Sequence, residues 1–419
     1  MNGFTEVDVI VIGGGPAGLA AATRLRELGT KRVLVIEREG EPGGIPRSCH
    51  HTGFGWFDLR RILSGPRYAT LHAKRALDAG ASIETHTTAI SWSEPGSIRH
   101  VTVTGPGGTR DIAARAVLLA TGCRERPRTA RLVPGGRPRG VHTTGSLQHA
   151  VHGYHQTPGS TAVVVGAEHV SYSAVMTLRE SGVEVKALVT PHPVTQTFGL
   201  AHWWIAGRNR IPLHTEARVT RIVGRDRVSA IEYQVHDTPR KIDCDTVVFT
   251  GDWIPDHEFC RIGGVPLNPH TRGPAIDQAL RTETPGVFAC GNLLRGAETA
   301  DSASLEGRHA AQSIHSLLSG KGSWPEMEEA TPVEVRDPVQ WVCPNRISGS
   351  RQAPARGRLT FRVGCVQPAG DVVVVQGTET LARISFRKMI PNRAYSIRWD
   401  KWACQVQAGV PVVIGFDPS

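Results

Sequence analysis

The stretch Asp8-Val9-Ile10-Val11-Ile12-Gly13-Gly14-Gly15-Pro16-Ala17-Gly18 decides how this chain begins to fold. Val7–Ile12 is an unbroken apolar run, the pattern of a buried parallel strand. Pro16–Leu28 reads as a helix and Arg32–Glu37 as a second strand, so the three make a βαβ unit. Gly13 permits the tight turn, Gly15 lets the backbone approach a pyrophosphate, and Gly18 lets helix and strand pack closely. Pro16 and Ala17 open the helix whose N-terminal N–H groups point at the phosphates. Glu37 ends the second strand, where an acid accepts hydrogen bonds from the ribose hydroxyls, and Arg38 follows it as a further candidate contact. The motif specifies a dinucleotide but does not choose between FAD and NAD.

Further along, a helix is expected over Tyr68–Ala79, short strands over Ser82–Trp92 and His100–Thr104, and a buried strand over Ala116–Thr121. Arg124–Gly140 is rich in Pro, Gly and Arg and reads as a linker. A second strand–turn–helix–strand unit follows: Thr161–Val165, Val170–Ser181 and Glu184–Val189, closed by Asp245–Gly251. Pro285–Cys290 is a short apolar strand, and Ser304–Leu318 a helix returning to the first unit. After Pro325 the character changes. Leu359–Val366, Asp371–Gln376, Leu381–Arg387, Tyr395–Trp399 and Val410–Phe416 alternate apolar with polar residues between Gly, Pro and Asn. The expected fold is α/β: two Rossmann-like FAD/NAD(P)-binding domains with parallel sheets, plus a small C-terminal all-β module. The division is 1–126 with 255–325 for the first domain, 127–254 for the second, and 326–419 for the module.

The chain has 419 residues, 40% of them hydrophobic, enough for two or three cores. A mean hydropathy of −0.20 and the lack of any apolar run near 18 residues argue against a membrane span. Met1–Glu6 shows neither a basic nor an apolar leader region, so a cytoplasmic location is expected. The eight cysteines include no C-x-x-C pair, which removes the usual spacing of zinc ribbons, iron–sulfur clusters and dithiol redox centres. The net charge of +10 is spread without a dense Lys/Arg run, so nucleic-acid binding is not expected. His149, His152 and His155 recur every three residues, a spacing that drifts off one helical face, and no metal site is expected there. Trp203, Trp204 and Trp253 could line a pocket, but large aromatics more often belong to the core.

The second turn, Val165-Gly166-Ala167-Glu168-His169-Val170-Ser171, departs from the first. Glu168 stands where the middle glycine would let a pyrophosphate approach. The next strand ends Leu188-Val189-Thr190-Pro191, with no acid for a ribose and no Arg for a 2′-phosphate. The fold signal is good and the NAD(P) signal poor, so nicotinamide binding there is doubtful.

Gly43-Gly44 after Glu37, Ala120-Thr121-Gly122 after a later strand, and Thr284-Pro285-Gly286-Val287-Phe288-Ala289-Cys290-Gly291-Asn292 together resemble the two-dinucleotide-domain flavoproteins. These include the pyridine nucleotide–disulfide reductases and their relatives, and the likeness covers roughly residues 7–320. The resemblance implies FAD on the first turn, Gly43, Gly44, Thr121 and Gly122 beside it, and Gly291 and Asn292 at the ribityl–phosphate region. Asn292 replaces an Asp common in the wider family. The stretch Gly43-Gly44-Ile45-Pro46-Arg47-Ser48-Cys49-His50-His51-Thr52-Gly53-Phe54-Gly55 is more narrowly similar to flavoproteins associated with anaerobic glycerol-3-phosphate dehydrogenase. More distantly it resembles α subunits of opine, proline and glycine dehydrogenases. Glu306-Gly307-Arg308 matches that subgroup's Glu-Gly near the flavin ring.

Cys49 lies close to where disulfide reductases carry redox cysteines, yet it is single, which excludes a two-thiol cycle. Either it is a thiolate beside flavin, with Arg47 or a protonated histidine lowering its pKa, or a small packed residue. His51 matches the subgroup's histidine and is a candidate proton relay. The leading expectation is an FAD-dependent oxidoreductase taking a hydride from a small amine, amino acid or polyol, alone or as the flavin subunit of a larger enzyme with a second flavoprotein subunit. Two others stand beside it: a stand-alone NAD(P)H-dependent reductase, and a non-catalytic flavin-bearing electron-relay subunit.

Overall fold

The computed structural model describes residues 5–92, 98–321, 324–325, 329–349 and 352–418. Residues 1–4, on which part of the leader reading rests, and 326–328, at the expected start of the C-terminal module, lie outside the described residues.

The first strand, Glu6–Ile12, is central in a seven-stranded sheet. It pairs in parallel with Val33–Ile36 on one side and Gly108–Leu119 on the other. Ser82–Glu84 extends the sheet beyond Val33–Ile36, also in parallel. The 12-residue strand Gly108–Leu119 does double duty. Its last residues pair in parallel with Val287–Ala289, while antiparallel pairing with Arg99–Gly105, and of that strand with Thr88–Trp92, carries the sheet outward. A parallel centre needs helices on its faces. The first helix, Pro16–Glu27, supplies one, burying Leu19 and Leu25, each worth about 1.5–3 kcal/mol. The long helix Ala300–Leu318 lies against it.

The second sheet has five parallel strands in the order Val141–Thr143, Thr246–Phe249, Thr161–Val165, Glu184–Val189, Leu213–His214. Its helix, His169–Glu180, buries Tyr172, Val175 and Leu178. Beside it lies an antiparallel three-stranded sheet, Ala217–Gly224, Val228–Val235 and Thr238–Asp243, that the sequence reading did not foresee. Arg124–Gly140 is also more than a linker. Cys123–Glu125 pairs antiparallel with Trp253–Pro255, a two-stranded connection where the chain enters and leaves the second sheet. Arg128 is bonded to the carbonyls of Val133 and Pro134, and Arg131 to those of Thr250 and Gly251.

The C-terminal segment is all-β, as expected, with a five-stranded and a three-stranded sheet. Their shared core contains Leu359, Phe361, Val372, Val374, Ile397 and Trp402. Three strands escaped the sequence reading, Thr331–Val335, Val339–Cys343 and Arg346–Ile347. Trp341 and Cys343 from the second of these join the hydrophobic core of the first sheet, so this segment is packed onto the α/β body.

Where the two helices on the first sheet meet, a Cβ on Gly307 would lie 2.0 Å from the Ala17 carbonyl oxygen. Helix propensity alone favours Gly307→Ala by about 0.5–1 kcal/mol. Contact with rigid backbone reverses the sign, and the variant is expected to lose about 1–3 kcal/mol in denaturant unfolding. A variant as stable as the parent would contradict the packing.

Candidate functional site: a dinucleotide cradle at the first turn

The first turn is built by close approaches. Gly13 has φ +109°, and a Cβ there would fall 2.4 Å from the Ala120 carbonyl oxygen. A Cβ on Gly18 would fall 2.0 Å from the Gly13 carbonyl oxygen, so strand and helix meet with no room for a side chain. Glu37 is buried; its Oε2 accepts from the Gly14 N–H at 2.9 Å and its Oε1 from the Glu39 N–H at 2.9 Å. Each oxygen keeps a lone pair for a ribose hydroxyl. Gly15, at the helix N-cap, differs from its neighbours: a Cβ there would meet nothing within 4 Å. No side chain caps this helix and no acid sits in its first turn, so its terminal N–H groups face open space. A helix N-terminus with an empty approach fits a diphosphate, and with Glu37 beside it the residues fit FAD.

The other expected contacts converge on the same turn. The Gly43 N–H donates to the Gly14 carbonyl at 2.7 Å, and a Cβ on Gly44 would stand 3.0 Å from the Gly15 Cα. Thr121 Oγ1 donates to the Asp256 carbonyl at 2.7 Å, and the Asp256 N–H donates to the Gly122 carbonyl. Gly291 lies against Ala17, with 2.8 Å from its Cβ position to the Ala17 Cβ. Asn292 Oδ1 accepts from the Glu298 N–H at 3.1 Å. The buried Glu306 accepts from the Gly291 N–H at 3.1 Å and is ion-paired with Arg295. Its place is behind Gly291, positioning that residue. Arg38 is set apart: its side chain is 65% exposed and lies 3.5 Å from Asp256.

Cys49 and His51 lie on the loop that follows Gly44. Cys49 Sγ is 3.5 Å from the Ile45 carbonyl and 3.3 Å from Gln148 Oε1. Burial pushes this thiol up to about 12, against a smaller lowering by Gln148, so it is neutral at physiological pH. Arg47, the expected activator, pairs with Glu41 instead. This burial and pairing favour the packed-residue alternative over the thiolate. His51 Nδ1 is 2.9 Å from the Thr52 carbonyl; a carbonyl only accepts, so Nδ1 carries the proton and Nε2 of the neutral ring is an acceptor.

Sequence reasoning missed a buried polar network behind this loop. Asp58 Oδ2 accepts from the Tyr68 hydroxyl at 2.9 Å and lies 3.0 Å from His72 Nε2. Burial alone would raise the Asp58 carboxyl, but the hydrogen bonds to His72 and Tyr68 hold it below its ordinary value. Asp301 accepts from the Gly55 and Phe57 N–H groups and ties the loop to the start of the long helix. Its only trace in the sequence is an acid in a helical first turn. Gln148 and Glu125 carry no motif at all; Glu125 receives the Thr144 and Gly145 N–H groups.

The second turn is filled from within. Glu168 is buried at the N-cap of its helix, and Oε2 accepts from the Ala167 N–H at 3.1 Å. The Glu168 N–H donates to Ser171 Oγ at 3.2 Å. Its carboxylate occupies the gap between Gly166 and Gly251, whose Cβ positions fall 2.8 Å and 3.1 Å from it. A helix N-terminus attracts an anion, and here the protein supplies its own. Trp203 and Trp204, expected in the core, are instead more than half exposed. Among the described residues no three His, Cys, Asp or Glu side chains form a metal-binding group.

Gly15 has an extended backbone, φ −79° and ψ −176°, that any residue adopts, so Gly15→Val is expected to fold like the parent. The new side chain fills the approach to the helix, and FAD affinity measured by titration should fall at least about tenfold. Unchanged affinity would contradict the cradle. Thiol alkylation at pH 8, mapped by mass spectrometry, is expected to modify the exposed Cys365 and Cys404 and spare Cys49. Rapid modification of Cys49 would contradict its burial.

The model for the family described as pyridine nucleotide-disulphide oxidoreductase matches residues 7–307. An opine oxidase subunit from Agrobacterium tumefaciens (strain Ach5) is 28% identical over 332 residues, covering 73% of this chain and 64% of that protein. The alpha subunit of sarcosine oxidase from Rhizobium meliloti (strain 1021) is 29% identical over 280 residues, covering 63% of this chain but only 26% of its own length. The chain thus matches less than two thirds of either relative. T. acidophilum thioredoxin reductase, at 22% identity and a TM-score of 0.62, covers 74% of this chain and 98% of its own, a likeness of fold. No helix among the described residues is long and apolar enough to cross a membrane. This chain belongs to the pyridine nucleotide-disulphide oxidoreductase family, and the residues of its first turn fit the FAD of that family.

Proposed function

We propose that this chain is an FAD-dependent oxidoreductase that draws its electrons from a small amine or amino acid and passes them to a partner protein, and that NAD(P)H is neither its donor nor its acceptor. The observation that carries the reading is the contrast between the two turns. Space stands open above Gly15, while the Glu168 carboxylate fills the equivalent space at the second turn. A pyrophosphate entering there would have to displace a buried carboxylate and face its charge. The relatives' names support the donor class, since an opine and sarcosine are amino-acid derivatives, and both relatives are named as subunits.

In this reading residues 1–126 and 255–325 form the FAD-binding domain and 127–254 a second Rossmann-like domain without a nucleotide. Residues 326–419 form the β-rich module. FAD, when bound, supplies the acceptor for a hydride. The chain's own residues hold and orient. Gly13–Gly18 receive the diphosphate, Glu37 the ribose, Gly43, Gly44, Thr121 and Gly122 flank the dinucleotide, and Gly291 and Asn292 meet its ribityl end. His51, with Nε2 as an acceptor, is the proposed proton relay, and Cys49 packs as a neutral thiol.

Anaerobic mixing of the purified protein with a panel of amines, amino acids, opines and glycerol phosphates tests this reading. At least one amine or amino acid is expected to bleach the flavin absorbance, and NADH and NADPH are not. Rapid bleaching by NADH or NADPH, with none by any amine or amino acid, would overturn it.

A further inference from the structure

A cavity of about 170 Å³ lies between the long helix Ala300–Leu318 and the β-rich segment. That is several waters' worth of space. Arg295, Ser302 and Glu306 face it from one side, and Arg356, Arg358 and Tyr395 from the other.

The charges around it do not balance. Arg295 is buried and paired with Glu306, and its Nε has no hydrogen-bond partner among the described residues. The other carboxylate of the wall, Glu298, is bonded to Arg362 at 2.6 Å. Among the described residues Arg356 and Arg358 therefore have no carboxylate partner. Arg356 donates only to Ser302 Oγ, at 3.3 Å. Two guanidiniums over a recess whose acids are already engaged attract an anion. Its character follows from the rest of the wall. Leu280, Leu294 and Pro344 offer apolar surface to a carbon chain, and Glu298 and Glu306 would repel a dianion such as phosphate more than a single charge.

We infer that this cavity is a binding site for a small organic monocarboxylate, held by Arg356 and Arg358. The family match covers only one side of it, because residues 308–419, which supply Arg356, Arg358 and Tyr395, lie beyond the matched range. The site stands one hydrogen bond from the flavin cradle. Glu306 accepts from the Gly291 N–H and Asn292 accepts from the Glu298 N–H, each at 3.1 Å. Occupancy is therefore expected to register in the flavin spectrum; this consequence, unlike the site itself, rests on the FAD reading above.

Calorimetric titration of the purified full chain at low salt, with propionate and with inorganic phosphate as probes, tests the inference. Propionate is expected to bind saturably and more tightly than phosphate. Arg356→Gln and Arg358→Gln are each expected to weaken it at least about tenfold, with an unchanged melting temperature. No saturable propionate binding, equal affinity in both variants, or tighter binding of phosphate would overturn the assignment. A colourless preparation that still binds propionate in this Arg-dependent way would support the cavity site while removing the flavin reading, so the two fail separately.

Discussion

One steric fact governs this molecule: at Gly13 and Gly18 the strand and helix of the first turn touch backbone to backbone, while among the described residues no atom lies within 4 Å of a Cβ placed on Gly15. The close contacts fix the direction of the helix and the position of its N-terminus. The vacancy leaves those N–H groups for a ligand. Neither works alone, because a helix aimed at a blocked approach, or an open approach to a helix that wanders, holds no diphosphate. The Glu37 bond to the Gly14 N–H ties the acid proposed to bind the ribose to the same turn. The long helix then packs against the first through Gly307 and Ala17, and Gly291 closes over Ala17 from the side.

The second turn shows what happens when the same architecture loses the vacancy. Gly166, the helix at His169 and the parallel sheet are all retained. The approach differs, where Glu168 stands in place of Gly15, and the next strand ends without a counterpart of Glu37. Glu168 lends the helix a negative charge of its own, bonded to the Ala167 N–H. The domain therefore keeps its scaffold, and the electrostatic reason for a phosphate to bind there is already satisfied. In the proposed function, that asymmetry is what directs electrons away from a nicotinamide and toward a partner.

Much of this was legible in the sequence because periodic apolar runs bounded by Gly and Pro report parallel strands directly. Val7–Ile12, Thr161–Val165 and Glu184–Val189 reappear within a residue of their expected limits. The convergence of Gly43, Thr121 and Gly291 on the first turn was legible only through family likeness, since no local pattern reports a contact across hundreds of residues. What stayed hidden has physical reasons. The antiparallel strands Ala217–Gly224 and Thr238–Asp243 carry Arg and Lys on a solvent face, which masks their alternation. Arg124–Gly140 looked like a linker because its order comes from arginine bonds to distant carbonyls. Trp203 and Trp204 were assigned to a core on residue type alone, and their exposure depends on which way a short helical segment faces. The buried set around Asp58 is assembled from Tyr68 and His72, whose meeting no spacing predicts.

In the proposed function one turn takes a dinucleotide and the other refuses one. Counting bound dinucleotides tests it most directly, by denaturing the purified chain, identifying what is released, and titrating the stripped protein with FAD, NADH and NADPH. The account predicts one FAD per chain and no saturable binding of either nicotinamide. A colourless protein that refuses added FAD, or one that binds NADH or NADPH in equal proportion to FAD, would contradict it.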